Sequence, residues 1–85
     1  MNHFTTSEFW FHYRQLPEDI RNLADKNFKL LRANSHHPSL HLKKVGIFFW
    51  SVRIGLRYRA LAKERTEGLV WFWIGSHYTY EQLIE

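Results

Sequence analysis

Three short apolar runs within residues 43–77 constrain the fold more than any other part of the sequence. They are rich in β-branched and aromatic residues, and glycine or charged residues separate them, which is typical of strands joined by short turns. The first two runs alternate in polarity: Trp50, Val52 and Ile54 point to one side of the first, and Arg57, Arg59 and Leu61 share one face of the second. The face that carries arginines is expected to lie away from the helices. The third run is apolar on both faces, as expected of a central strand. The predicted strands are 48–54, 57–63 and 69–74, with a tight turn at 55–56 and a hairpin loop at 64–68.

The residues before this stretch have the periodicity of helices. A first helix is predicted at 5–15, where Thr5 and Glu8 fit a capping box. A second helix is predicted from Pro17, at its first helical position, to about Asn34. Apolar residues at helical spacing give this second helix one buried stripe, so the two helices are expected to form a hairpin.

Shorter segments complete the predicted fold. Residues 2–5 can form only a very short strand, and 39–43 alternate as an edge strand or an extended arm does. Ser76 is a candidate cap for a last helix at 77–84. The sequence therefore predicts one α+β domain over residues 1–85: an N-terminal helical hairpin packed on a three- to four-stranded antiparallel sheet, with a short C-terminal helix.

The charge distribution points to an anionic partner. Six basic residues and no acidic one lie between residues 43 and 63, and the whole chain has a net charge of +4. Such a surface suits a polyanion, a phosphate-bearing substrate or an acidic protein. The alternative is a basic solvated surface that only keeps the domain soluble.

The composition also argues against several classes of site. The chain has no cysteine, so disulfides and thiolate metal sites are excluded, which fits a reducing cytosol. No apolar run approaches the roughly 18 residues of a membrane span. Pro38 interrupts the group of His36, His37 and His41, whose spacing suits neither a zinc finger nor a helical pair. We therefore predict loop histidines, with no metal site and no cofactor.

Four segments carry a recognisable pattern: 16–20 (LPEDI), 37–45 (HPSLHLKKV), 50–61 (WSVRIGLRYRAL) and 70–77 (VWFWIGSH). Together they resemble the RelE/ParE superfamily of toxins from bacterial type II toxin–antitoxin systems, and its RelE-like and HigB-like members most of all. The resemblance implies a cytoplasmic toxin that cleaves mRNA in the ribosomal A site and is blocked by a cognate antitoxin. ParE-like members of the superfamily instead inhibit DNA gyrase and are not nucleases.

The chemistry of metal-free RNA cleavage suggests which residues to examine. It needs a base for the 2′-hydroxyl, an acid for the leaving 5′-oxygen and cations for the phosphate. Arg53 and Arg57 flank the predicted turn, and two guanidinium groups there can bind one phosphate. The resemblance puts Arg57 at the scissile phosphate and His77 near the active site, where an imidazole suits acid–base catalysis. The predicted catalytic residues are Arg53, Arg57 and His77, and the predicted RNA-binding residues are Lys43, Lys44, Arg59, Tyr78 and Tyr80.

The sequence also departs from its ribonuclease relatives. Some of them use a glutamate on the strand before the catalytic arginine, but this chain has no acid between Asp25 and Glu64. Others have a lysine cluster on that strand, where this chain has Ser51 at one of the positions. The leading hypothesis is a ribosome-dependent mRNA endoribonuclease whose partners are an antitoxin, the ribosome and mRNA. The alternatives are a ParE-like inhibitor of DNA gyrase and an inactive homologue that only binds its antitoxin.

Overall fold

A five-stranded sheet, with two helices on one face and one helix on the other, makes up the computed structural model, which describes residues 2–84. The strands are β1 (His3–Thr5), β2 (Lys43–Val45), β3 (Phe49–Ile54), β4 (Tyr58–Arg65) and β5 (Gly68–Ser76). The helices are α1 (Ser7–Tyr13), α2 (Glu18–Ala33) and α3 (His77–Ile84), with a 3-10 turn at Pro38–Leu40. The predicted α+β fold is confirmed.

The strand order in the sheet is β1-β5-β4-β3-β2. Strands β2 to β5 form the predicted antiparallel meander, and β1 lies parallel to β5 at the edge. The N–H of Leu69 donates to the carbonyl of Asn2 at 2.9 Å, and pairing continues from His3 to Thr5. The very short strand that the sequence allowed at its beginning thus makes the sheet five strands wide.

The helix starts differ in detail from the prediction. Thr6, not Thr5, caps α1, because the Oγ1 of Thr6 accepts a hydrogen bond from the N–H of Phe9 at 3.2 Å. Thr5 instead ends β1, and its hydroxyl accepts from the indole N–H of Trp10 at 3.0 Å. Pro17 takes the cap position of α2, one residue before the first helical position.

The segment predicted as an edge strand or extended arm, 39–43, contains the end of the 3-10 turn and the first residue of β2. His41 adopts the left-handed conformation, with φ of 49°, and ends the turn. Leu40 is completely buried, at 0% exposure. The alternating leucines therefore reflect packing of a compact turn on the core and not a longer strand.

Two apolar clusters lie on opposite faces of the sheet. The main cluster fills the space between the sheet and the α1–α2 hairpin, and it includes Val52 and Ile54, as their alternation predicted. The smaller cluster consists of Leu61, Trp73 and Tyr80 and lies beneath α3. We call this second side of the sheet the α3 face.

A β-bulge allows β5 to serve both clusters. Leu61 lies opposite Trp73 and Ala62 lies opposite Trp71, so Phe72 has no partner in the register. Side chains two residues apart on a regular strand share a face. Because of the extra residue, Trp71 packs in the main cluster and Trp73 packs beneath α3.

The imidazole of His3 joins β1 to the main cluster. The indole N–H of Trp71 donates to the Nδ1 of His3 at 3.1 Å, and the two rings stack with centroids 6.2 Å apart. Burial, aided by the positive charge of Arg32, lowers the pKa of His3 from its ordinary value of 6.5. Folding therefore favours the neutral ring, whose Nδ1 is free to accept.

This coupling predicts a pH dependence of stability. The contribution of His3 is fully present above pH 6.5 and is lost as the pH falls through the lower pKa of the folded state. We expect the free energy of unfolding of the wild type to fall more steeply from about pH 7 to about pH 5 than that of His3→Gln. Urea denaturation at several pH values measures this difference. Equal slopes in the two proteins would contradict the prediction.

Candidate nucleic-acid interface

The turn from β3 to β4 and the start of α3 meet at one end of the sheet. The backbone N–H of His77 donates to the carbonyl of Arg57 at 2.7 Å, so two of the predicted catalytic residues are adjacent. Arg57 is exposed and His77 is half-buried. Both line an open groove of ≈ 320 Å³. The other residues that line this groove are Leu56, Tyr58, Ser76 and Tyr78.

Arg59 holds the turn that presents Arg57. Its Nη1 donates to the carbonyl of Tyr58 at 2.8 Å and lies 3.4 Å from the carbonyls of Gly55 and Leu56. Gly55 has φ of +65°, in the left-handed region that glycine adopts without strain. The predicted RNA-binding residue Arg59 thus makes its hydrogen bonds to the protein backbone, and it fixes the shape of the turn.

Two arginines lie side by side on the α3 face next to this turn. Arg53 of β3 is directly opposite Arg59 of β4, and Gly75 of β5 completes the row. Like charges in this arrangement repel, and within residues 2–84 no carboxylate forms a salt bridge with either arginine. Burial, with the charge of Arg53 next to it, lowers the pKa of the Arg59 guanidinium. An anion that binds between the two guanidinium groups would offset this repulsion.

Arg53 carries a further unused donor. Its Nε is buried and has no hydrogen-bond partner. Its backbone carbonyl accepts from the side-chain amide of Asn27 on α2 at 3.1 Å, which ties this part of β3 to the helical layer. A buried donor without a partner costs free energy, so this guanidinium is held here at a cost to the stability of the fold.

His77 has a carboxylate partner that the sequence analysis did not single out. The Nε2 of His77 lies 2.9 Å from the Oε1 of Glu81, one turn along α3. With the Nε2 proton donated to this carboxylate, Nδ1 is the ring nitrogen that can accept another proton. The four-residue spacing of His77 and Glu81 could have indicated this pair, because residues four apart in a helix lie on one face. A carboxylate therefore lies beside His77 on α3, whereas β3 has none.

The two predicted lysines lie on opposite faces of β2. Lys43 is opposite Ser51 and therefore extends the basic surface of the α3 face. Lys44 is opposite Trp50, on the side of the helical hairpin, and its Nζ lies 3.5 Å from the Oε1 of Glu64. Of these two lysines, only Lys43 lies on the same face as the arginine row, which consists of Arg53 and Arg59.

The two predicted tyrosines have different environments. Tyr78 is 65% exposed and lines the groove. Tyr80 is 3% exposed, packs on Leu61 and Trp73, and donates its hydroxyl proton to the Oγ of Ser51 at 3.2 Å. A ring buried in this way cannot stack on a base, so the prediction that Tyr80 binds RNA is wrong. Its role is to attach α3 to the sheet.

This attachment can be measured with a double-mutant cycle. We expect Tyr80→Phe to lower the free energy of unfolding by about 1–3 kcal/mol, because the hydroxyl of Ser51, 1% exposed, loses its partner. The double variant Ser51→Ala/Tyr80→Phe is expected to be more stable than the sum of the single effects predicts. Urea denaturation of the four proteins gives these energies, and strict additivity would contradict the coupling.

Comparison with protein families decides the affiliation of the chain. A sequence model described as the ParE-like toxin domain matches residues 18–82, from the start of α2 into the last turn of α3. The chain belongs to the ParE-like toxin domain family. The predicted membership of the RelE/ParE superfamily is confirmed, and the chain is the toxin component of a toxin–antitoxin system. None of the curated proteins compared with it matches.

Solved structures of similar fold come from toxins of the same superfamily. The RelB-RelE antitoxin-toxin complex from Methanococcus jannaschii matches with a TM-score of 0.75 and 14% identity, over 96% of this chain and 99% of that chain. The YoeB/ParE toxin from Agrobacterium tumefaciens matches with a TM-score of 0.68 and 14% identity, over 92% and 100%. The YoeB dimer from Staphylococcus aureus has a TM-score of 0.60 and 16% identity, over 92% and 98%. At these identities the likeness shows the shared fold.

The described residues add two observations about this ParE-like toxin domain. Within residues 2–84, no helix is long and apolar enough to cross a membrane. In the same range, no three histidine or acidic side chains come together as a set that can hold a metal ion.

Proposed function

We propose that this ParE-like toxin domain is an endoribonuclease that cleaves mRNA on the ribosome, in the cytoplasm, without a metal or cofactor. The observation that carries the proposal is the groove in which Arg57 and His77 are joined by a 2.7 Å backbone hydrogen bond. The carboxylate of Glu81, 2.9 Å from His77, completes a set of cation, imidazole and acid.

The groups of this set suit attack by the 2′-hydroxyl of RNA on the adjacent phosphate. The 2′-oxygen loses its proton and bonds to phosphorus while the bond from phosphorus to the 5′-oxygen breaks. The products are a 2′,3′-cyclic phosphate and a 5′-hydroxyl. Nδ1 of His77 can accept the proton from the 2′-hydroxyl, and Glu81 stabilises the imidazolium that forms. A solvent water gives a proton to the leaving 5′-oxygen, and the imidazolium returns its proton to solvent afterwards. Arg57 can bind the phosphate oxygens, whose negative charge grows in the transition state.

The α3 face supports the proposed macromolecular partners. Arg53 and Arg59 give it a positive charge beside the turn that lines the groove, and Lys43 extends this charge to β2, which suits the backbone of mRNA on the ribosome. An antitoxin with an acidic binding segment would compete for the same charge. The RelB-RelE complex, in which an antitoxin is bound to a toxin of this fold, supports such a partner here.

DNA gyrase is the competing target, and the ParE-like description of the family model favours it. The test is regulated expression in a bacterial host, with mapping of mRNA 5′ ends and measurement of plasmid supercoiling in the same cells. The nuclease proposal predicts new 5′ ends inside translated frames and unchanged supercoiling. If growth stops, plasmids become relaxed and no new 5′ ends appear, the nuclease proposal is wrong and gyrase inhibition takes its place.

A further inference from the structure

The two edges of the five-stranded sheet differ in how they are protected. Strand β2, at one edge, has two lysines among its three residues, and charged side chains of this kind hinder pairing with another chain. Strand β1, at the other edge, has the sequence HFT and contains no lysine, acid or proline. Burial lowers the pKa of His3, so its ring is neutral at pH 7. The β1 edge therefore lacks the charge that protects the β2 edge.

The open side of β1 presents the backbone groups of His3 and Thr5. The carbonyl of Asn2 accepts a hydrogen bond from β5 at 2.9 Å, and the N–H of Thr6 donates to β5 at 3.1 Å. Backbone groups of successive strand residues point alternately to the two sides, so the even-numbered residues of this segment bond β5. The N–H and C=O groups of His3 and Thr5 then point away from the sheet, where another strand can pair with them.

Phe4 lies between these two residues and contributes to neither apolar cluster. Its side chain is 44% exposed. The side chains of His3 and Thr5 make hydrogen bonds with Trp71 and Trp10 on the helical side, so Phe4 points to the opposite face. An open groove of ≈ 650 Å³ lies between β1 and α2. The residues that line it are Asn2, His3, Phe4, Phe28 and Arg32.

We propose that the β1 edge binds the β1 edge of a second copy of this chain, antiparallel, about a two-fold axis at Phe4. In this register His3 of each copy is opposite Thr5 of the other, and each of these pairs exchanges two hydrogen bonds. The two Phe4 residues form the pair without hydrogen bonds, in which the Cα atoms are about 4.5 Å apart and the side chains are closest. An acidic partner would need cations on this strand, and β1 has none. A neutral edge with a central phenylalanine is instead complementary to itself.

The expected dimer is weak and leaves the groove of Arg57 and His77 open. A three-residue strand covers much less than the roughly 800 Å² per partner of a stable interface, so association depends on concentration. Strand β1 pairs with β5 only as far as Trp71, whereas the groove begins at Ser76, about 17 Å further along β5. Dimerisation and toxin activity are therefore expected to be independent of each other.

Single cysteines test the register directly, because the chain has no cysteine of its own. The proposed register puts the two copies of residue 4 within the Cα separation of roughly 4.4–6.8 Å that a disulfide needs. Lys44→Cys is the matched control, since Lys44 is the exposed central residue of the other edge strand. Under mild oxidation of the folded protein, Phe4→Cys is expected to form disulfide-linked dimers roughly tenfold faster than Lys44→Cys. Equal rates would contradict the register.

Sedimentation equilibrium measures association without a cross-link, and urea denaturation shows that each variant folds. The wild type is expected to dimerise with rising concentration. Phe4→Lys is expected to raise the dissociation constant of the dimer roughly tenfold, because it places like charges opposite each other. Phe48→Lys adds the same charge at an exposed phenylalanine between β2 and β3, and it is expected to dimerise as the wild type does.

A wild type that remains monomeric up to about 1 mM overturns the proposal. If Phe4→Lys then also weakens binding of the antitoxin, the β1 edge is a contact for a different protein and not for a second copy. Equal dissociation constants for the wild type and Phe4→Lys place the contact between copies elsewhere on the molecule.

Discussion

Arg57→Ala is expected to reduce mRNA cleavage roughly 100- to 1,000-fold, the usual cost of removing one donor aimed at a charge that grows in the transition state. The Arg57 side chain is exposed, and the hydrogen bond to His77 uses its backbone carbonyl. The substitution therefore removes the phosphate contact and leaves the turn intact. Arg57→Lys is expected to restore little, because an ammonium lacks the two parallel N–H donors of guanidinium.

The matched control is Arg65→Ala, which removes an exposed arginine at the far end of β4. It is expected to cleave and arrest growth as the wild type does. Mapping of mRNA 5′ ends gives the activity, and urea denaturation shows that each variant folds. If Arg57→Ala keeps full activity while Arg53→Ala loses it, the scissile phosphate lies on the arginine row, and the assignment to the turn is wrong.

Some features of the fold were predictable from the sequence, because they depend only on the local pattern of side chains. Alternation placed Val52 and Ile54 on the helical side and Leu61 on the α3 face, as found. Ser76 caps α3 as predicted, because its Oγ accepts from the N–H of Thr79 at 3.2 Å. These outcomes depend only on the two-residue period of strands and on donors at helix ends.

Features that depend on distant residues were not predictable. In a strand that is apolar on both faces, the side-chain pattern does not specify the pairing register. The sequence therefore did not predict the bulge that places Trp71 and Trp73 on opposite faces. Leu40 and Leu42 alternate as strand residues do, yet the left-handed His41 between them ends a 3-10 turn. In both places tertiary packing decided between local conformations of similar cost.

The site shows the same division. The resemblance to the RelE/ParE superfamily brought Arg57 and His77 together, and in the structure a backbone hydrogen bond joins them. The side-chain pattern alone did not pair them. It did not show that Tyr80 is buried against Ser51, or that Arg59 bonds the turn carbonyls. A tyrosine or an arginine on an amphipathic element has the same pattern whether its polar end reaches solvent or the protein backbone.

The substitution His77→Ala distinguishes most clearly between a nuclease and a toxin that inhibits its target by contact alone. For a nuclease we expect roughly a 100- to 10,000-fold loss of cleavage, because proton transfer by a positioned imidazole contributes a factor of that size. His77 is only half-buried and its N–H to Arg57 belongs to the backbone, so the fold is expected to survive. Glu81→Gln, which keeps the hydrogen bond but removes the charge that stabilises imidazolium, is expected to give a smaller loss.

The control for this substitution is His36→Ala, an exposed histidine in the segment between α2 and the 3-10 turn. Both variants are compared with the wild type by growth arrest, by mapped 5′ ends and by binding to the antitoxin. A nuclease loses arrest and cleavage together in His77→Ala while antitoxin binding persists. A protein that inhibits its target by contact alone has no need of a proton acceptor, so full arrest by His77→Ala would exclude the catalytic role of this residue.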